Sequence, residues 1–144
     1  GSLLIGETDR GWASKGSETF GLERLSWTGE NPFEIHTVSA RPDGFHLSFT
    51  QALAPGAGED PAAWSVESYT YMLHSDYGSP EVDRATLAVS GVERDADGKG
   101  LTVHMDGLRS GYVHELRPSG IQSASGADLA NARAYYTLVR IPKD

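Results

Sequence analysis

Apolar and polar residues alternate along most of this chain in short runs, and helical spacing is nearly absent. Phe45, Leu47 and Phe49 alternate with His46, Ser48 and Thr50. Leu101, Val103 and Met105 alternate with Thr102, His104 and Asp106. Successive side chains of a strand point to opposite faces, so each run predicts a strand with one face in a core. Tyr135, Thr137, Val139 and Ile141 alternate with Tyr136, Leu138 and Arg140, which predicts a last strand covered on both faces. The predicted core is Phe45, Leu47, Phe49, Trp64, Val66, Leu101, Val103 and Leu116.

The breaks between runs carry turn chemistry. Arg41-Pro42-Asp43-Gly44 predicts a hairpin, with glycine able to take positive φ. Asp95-Ala96-Asp97-Gly98-Lys99-Gly100 does the same between Ala88–Val92 and Leu101–Met105. Asp60-Pro61-Ala62-Ala63 has a capping residue followed by proline at the first helical position, so a single helical turn is expected before a strand near Trp64. About seven strands at this spacing imply an all-β fold, an immunoglobulin-like antiparallel β-sandwich, with an N-terminal extended or β segment before it.

Composition narrows the picture. The 144 residues suit one domain with a short appendage. Gly6 to Gly21 is rich in Gly, Ser, Thr and charge, a strand follows at Leu22–Trp27, and Gly29-Glu30-Asn31-Pro32 breaks the chain. Two regions are expected, residues 1–29 and 30–144. Twenty acidic against 12 basic residues give a net charge of −8, which disfavours nucleic acid and anionic lipid as partners. No cysteine is present, so disulfides, thiolate metal sites and covalently attached c-type haem are excluded. The run Leu3-Leu4-Ile5 is too short for a signal peptide or a membrane span, so no membrane insertion is expected. The sequence reads as a piece excised from something longer.

Two stretches resemble a known family. Gly1 to Trp12, together with Gly21-Leu22-Glu23-Arg24-Leu25-Ser26-Trp27-Thr28-Gly29, is similar to the closing blade of propeller proteins related to glucose/sorbosone dehydrogenases, which use pyrroloquinoline quinone. Pro32 to Pro142 resembles the Ig-like domain that follows such propellers in large secreted bacterial proteins. More loosely, it resembles the bacterial Ig-like domains of surface proteins. The resemblance implies a secreted or periplasmic location, with the parent's propeller domain as partner. The propeller that would hold the quinone and its catalytic base is not in this sequence, so no cofactor and no redox residue carries over.

Candidate chemistry is sparse. Tyr69, Tyr71 and Leu73 are predicted on the face opposite Trp64 and Val66, followed by a loop with His74, Asp76 and Tyr77. Aromatic rings beside carboxylates suit sugar rings, so Tyr69, Tyr71, Tyr77, Asp76 and His74 form a candidate polysaccharide site. The competing reading has the segment Leu3–Trp27 packing over Tyr69 and Tyr71. His36, His46 and His104 on outward positions could share one face and bind copper or zinc. His114 stands where related sandwiches place a corner tyrosine, and its ring N–H is expected to donate to backbone. Asp95, Asp97 and Gly98 faintly match a calcium loop but lack its later glutamate, so a hairpin turn is favoured. Gly6 to Gly11 has no phosphate-loop ending, no nucleophile elbow occurs, and no catalytic residue is expected. The expectation is a non-catalytic accessory module of a larger sugar-dehydrogenase-like protein. The alternatives are a carbohydrate-binding module and a small histidine–metal oxidative enzyme.

Overall fold

The computed structural model describes residues 1–8 and 18–143. Within the propeller-like segment, the part from Asp9 to Trp12 lies outside them. The chain forms two compact units, Gly1–Asn31 and Pro32–Asp144.

The first unit is a two-stranded antiparallel hairpin of β1 (Ser2–Thr8) and β2 (Phe20–Ser26). Its register places Leu3 opposite Leu25 and Ile5 opposite Glu23 on one face, and Leu4 opposite Arg24 and Gly6 opposite Leu22 on the other. Leu3, Leu4, Phe20, Leu22, Leu25 and Trp27 are all exposed, between 58% and 79%. Both faces of this ribbon therefore carry exposed apolar side chains.

The second unit is all-β. Its strands are β3 (Ile35–Arg41), β4 (Gly44–Phe49), β5 (Trp64–Tyr71), β6 (Glu81–Leu87), β7 (Val89–Arg94), β8 (Gly100–Met105), β9 (Tyr112–Pro118) and β10 (Ala134–Leu138). They form two four-stranded antiparallel sheets, β3-β4-β8-β7 and β10-β9-β5-β6. This is the strand order of an immunoglobulin-like sandwich with one added edge strand. The chain changes sheets at Ala88, between β6 and β7. β10 presents Tyr135 and Thr137 to solvent, so the last strand is covered on one face only.

All eight predicted core residues are buried, and Phe33, Leu53, Met105, Ile121 and Leu138 join them. Phe45 bridges the sheets, its ring 5.3 Å from His114 and 5.2 Å from Tyr136. The helical turn lies at Pro61–Ala63, where the Asp60 carboxylate accepts from the Ala62 N–H at 2.9 Å. Trp64 is then fixed by its indole N–H, which donates to the Gly58 carbonyl at 2.8 Å.

The two glycine turns work differently. Gly98 takes φ +69° as expected, and the Asp97 carboxylate accepts from the Lys99 N–H. Gly44 does not use that freedom, and its φ is ordinary. It is required because a Cβ there would lie 2.0 Å from the Val103 carbonyl oxygen on the neighbouring strand.

Three edge strands carry an extra residue. In β3, His36 intervenes between the paired Ile35 and Thr37, opposite consecutive residues of β4. In β7, Ser90 intervenes between Val89 and Gly91, opposite consecutive residues of β8. In β6, Asp83 and Arg84 together face the position of Tyr69, and Asp83 takes φ +54°. Such bulges bend and twist an edge away from further pairing.

Candidate functional site

The outer face of the β10-β9-β5-β6 sheet holds most of the polar chemistry. Trp64, Val66 and Ser68 point into the core, while Glu67, Tyr69 and Tyr71 take the other face. The phase of β5 is as predicted, but Tyr69 is not open to a ligand. It is 3% exposed, with the Arg84 guanidinium 4.3 Å over its ring and Tyr71 edge-on at 5.7 Å. Burial, helped by a hydrogen bond with Tyr71, pushes its phenol up to about 12. The predicted sugar platform therefore loses Tyr69, because the bulge in β6 supplies Arg84 to cover it.

Around these rings runs an ion network that sequence reading missed. Glu67 and Glu115 face each other across β5 and β9. Arg117 grips Glu115 through Nε and Nη2, both at 2.8 Å, and its Nη2 lies 3.0 Å from Glu67. Arg84 donates to Glu67 at 2.6 Å and also pairs with Glu81. The Arg117 hydrogen bonds hold the buried Glu115 carboxyl below its ordinary range, against the opposing effect of burial. A carboxylate acid–base pair needs one member kept protonated. Glu115, the more buried of the two, is driven the other way. The only trace in sequence was charge at outward strand positions, which equally suits a solvated face.

The remaining predicted ligand residues gather at the β5–β6 loop, closed by the Met72 N–H donating to the Pro80 carbonyl at 3.1 Å. Tyr71 is half exposed, and Leu73 and Tyr77 stand fully in solvent. The Asp76 N–H donates to His74 Nδ1 at 3.2 Å. Tyr71, Tyr77, Asp76 and His74 thus share one end of the sandwich.

The three predicted metal histidines do not form a site. His46 Nε2 lies 2.9 Å from Asp95, and His104 Nδ1 lies 2.8 Å from Asp43, so each imidazole has its own carboxylate. His36 is the exposed extra residue of the β3 bulge, which breaks the alternation that suggested a shared face. Among the described residues no three His, Cys, Asp or Glu side chains converge as metal ligands.

His114 does fix a corner, with a backbone hydrogen bond at Tyr112 beside the one it accepts. It is fully buried, and its Nε2 accepts from the Arg109 N–H at 3.3 Å. Desolvation lowers its pKa, so the neutral acceptor form is the one the core favours. Beside it, Asp83 accepts from both Arg109 and the Tyr112 hydroxyl, and Arg109 stacks 3.7 Å over the Tyr112 ring. The Tyr112 hydrogen bond is the main cause that lowers the Asp83 carboxyl. This clasp ties the bulge of β6 to the β8–β9 connection.

No family model and no curated protein matches the chain. Among solved structures it is similar to the N-terminal part of the bacterial S-layer protein SbsC, at 18% identity and TM-score 0.56, over 74% of this chain and 23% of that one. It is also similar to domains 1-6 of surface layer protein SbsC, at 18% identity and TM-score 0.55, over 74% of this chain and 14% of that one. The match spans less than a quarter of either S-layer chain, and it is a likeness of fold. The class defined is thus an all-β antiparallel sandwich. No described helix is long and apolar enough to cross a membrane.

Proposed function

We propose that the chain is a non-catalytic accessory and interaction module of a larger extracellular bacterial protein, and that the β1–β2 ribbon completes a sheet assembly elsewhere in that protein. The carrying observation is the ribbon itself. A two-stranded hairpin is marginal in water, and this one exposes large apolar side chains on both faces. A ribbon with apolar side chains on both faces fits between two other sheets, as a strand pair does inside a stack of blades. This agrees with the resemblance of the same segment to the closing blade of glucose/sorbosone dehydrogenase-like propellers. The sandwich likeness to S-layer domains supports a surface or secreted setting.

In the sandwich, the groups with shifted protonation are all engaged in a corner, a clasp or an ion network. The purified chain is expected to reduce no dye with sugars, pyrroloquinoline quinone and calcium supplied together. Quinone-dependent turnover would overturn the non-catalytic reading.

A second reading, carbohydrate binding, is favoured by the exposed rings of Tyr71 and Tyr77 beside Asp76 and His74. Insoluble-polysaccharide pulldown tests it. Retention of the wild type, weakened about 5- to 30-fold by Tyr77→Ala, would support it, and no retention on any polysaccharide would remove it.

A further inference from the structure

The four edges of the sandwich are not equivalent. β3, β6 and β7 each carry an extra residue, and β6 is further clamped through Asp83, Arg84 and Arg109. β10 differs. Its five residues pair with β9 in unbroken register, from Ala134 opposite Leu116 to Leu138 opposite Tyr112, and its far side pairs with no described strand. An edge without a bulge offers its outward N–H and C=O groups as a template for another strand.

The side chains say which strand would fit. Tyr135 and Thr137 lie exposed along the outer face of this edge, at 55% for Tyr135, and beyond the strand the chain bends at Val139, whose N–H donates to the Thr137 carbonyl at 3.1 Å. β-Branched and aromatic residues pair best with such neighbours across a strand pair. Arg133, at 63% side-chain exposure and with its Nη1 3.9 Å from Glu115, precedes the strand, and exposed Arg140 follows it. In a molecule of net charge −8, this edge is bracketed by two cations.

We propose that β10 is an acceptor edge for an extended segment of another chain, one with a β-branched or aromatic centre and acidic residues at both ends. Main-chain hydrogen bonds to β10 would supply affinity, and the two arginines would set register and choice of partner. This inference is independent of the reading of the β1–β2 ribbon.

The probe is a short fluorescein-labelled peptide of alternating valine and threonine, closed by glutamate at both ends, with a lysine-closed twin. Binding to the full chain is followed by anisotropy, and amide shifts are mapped by NMR. The glutamate peptide is expected to bind, with shifts centred on Ala134–Leu138, and the lysine peptide to bind more weakly. Arg133→Glu/Arg140→Glu should weaken the glutamate peptide roughly 3- to 10-fold, the scale of two exposed ion pairs, and improve the lysine peptide. Arg140→Glu alone, which leaves the partners of Glu115 in place, should give a smaller change of the same sign. Absence of binding, equal binding of the two peptides, shifts centred on β3, β6 or β7, or dimerisation through β10 would each overturn the proposal.

Discussion

Replacing Phe45 with alanine tests the sandwich where its two sheets meet. The Phe45 ring is fully buried and touches His114 and Tyr136 of the opposite sheet. Burying a phenylalanine side chain contributes about 1.5–3 kcal/mol by transfer alone. Each lost ring contact adds about 0.5–1.5 kcal/mol, and the rigid walls keep part of the cavity open. The expected loss is therefore about 3–5 kcal/mol, the range found for core Phe→Ala changes. Against a typical domain stability of about 5–15 kcal/mol this is a large fraction, and Tm should fall by roughly 10–25 °C. Urea titration followed by tryptophan fluorescence measures it, with an unchanged m-value marking an unchanged unfolding reaction. Phe20→Ala is the control. That ring is 79% exposed on the β1–β2 ribbon, so sandwich stability should move by less than about 0.5 kcal/mol. A loss below about 1 kcal/mol for Phe45→Ala would refute the two-sheet core.

Two further predictions concern single atoms. Gly44→Ala should cost at least about 1–3 kcal/mol by calorimetry, because its Cβ meets the backbone of β8, whereas Gly91→Ala meets nothing and should be mild. An innocuous Gly44→Ala would mean that β4 and β8 can part freely. His114 predicts a pH dependence: its folded pKa lies below the unfolded value near 6.5, so the unfolded chain takes up the proton first. Stability is full above about 6.5 and falls as pH drops through the folded pKa. Thermal melts between pH 7 and 5 should show that loss, and His114→Gln should flatten it. Carboxylates such as Glu115, also depressed, add a separate loss at lower pH.

Much of the architecture was legible because alternation reports burial directly. Phe45, Leu47 and Phe49 had to share a face, and Asp60 before Pro61 marked a helical turn to the residue. What alternation cannot report is an inserted residue. The bulges at His36, Ser90 and Asp83-Arg84 leave no mark in a two-residue pattern, yet they remove His36 from a shared histidine face and place Arg84 over Tyr69. The ion network was equally hidden, since the pairing of Glu67 with Glu115 depends on the register of β5 against β9, which no local pattern encodes. Gly44 is required for a reason its turn signal does not show, because the close approach of a neighbouring strand is visible only in the assembled sheet. The offset of His114 marks its corner, whereas its backbone partners, Arg109 and Tyr112, are visible only in the folded chain.

The central claim is that the sandwich stands alone while the β1–β2 ribbon belongs to a larger sheet assembly. Hydrogen exchange on the isolated chain, set against the whole product of its gene, tests this directly. In the isolated chain, amides of β4, β5, β8 and β9 should be strongly protected, and those of Ser2–Thr8 and Phe20–Ser26 should exchange almost freely. In the whole product the ribbon should become as protected as the sandwich. Equal protection of the ribbon in the isolated chain, or a ribbon that remains unprotected in the whole product, would contradict the account.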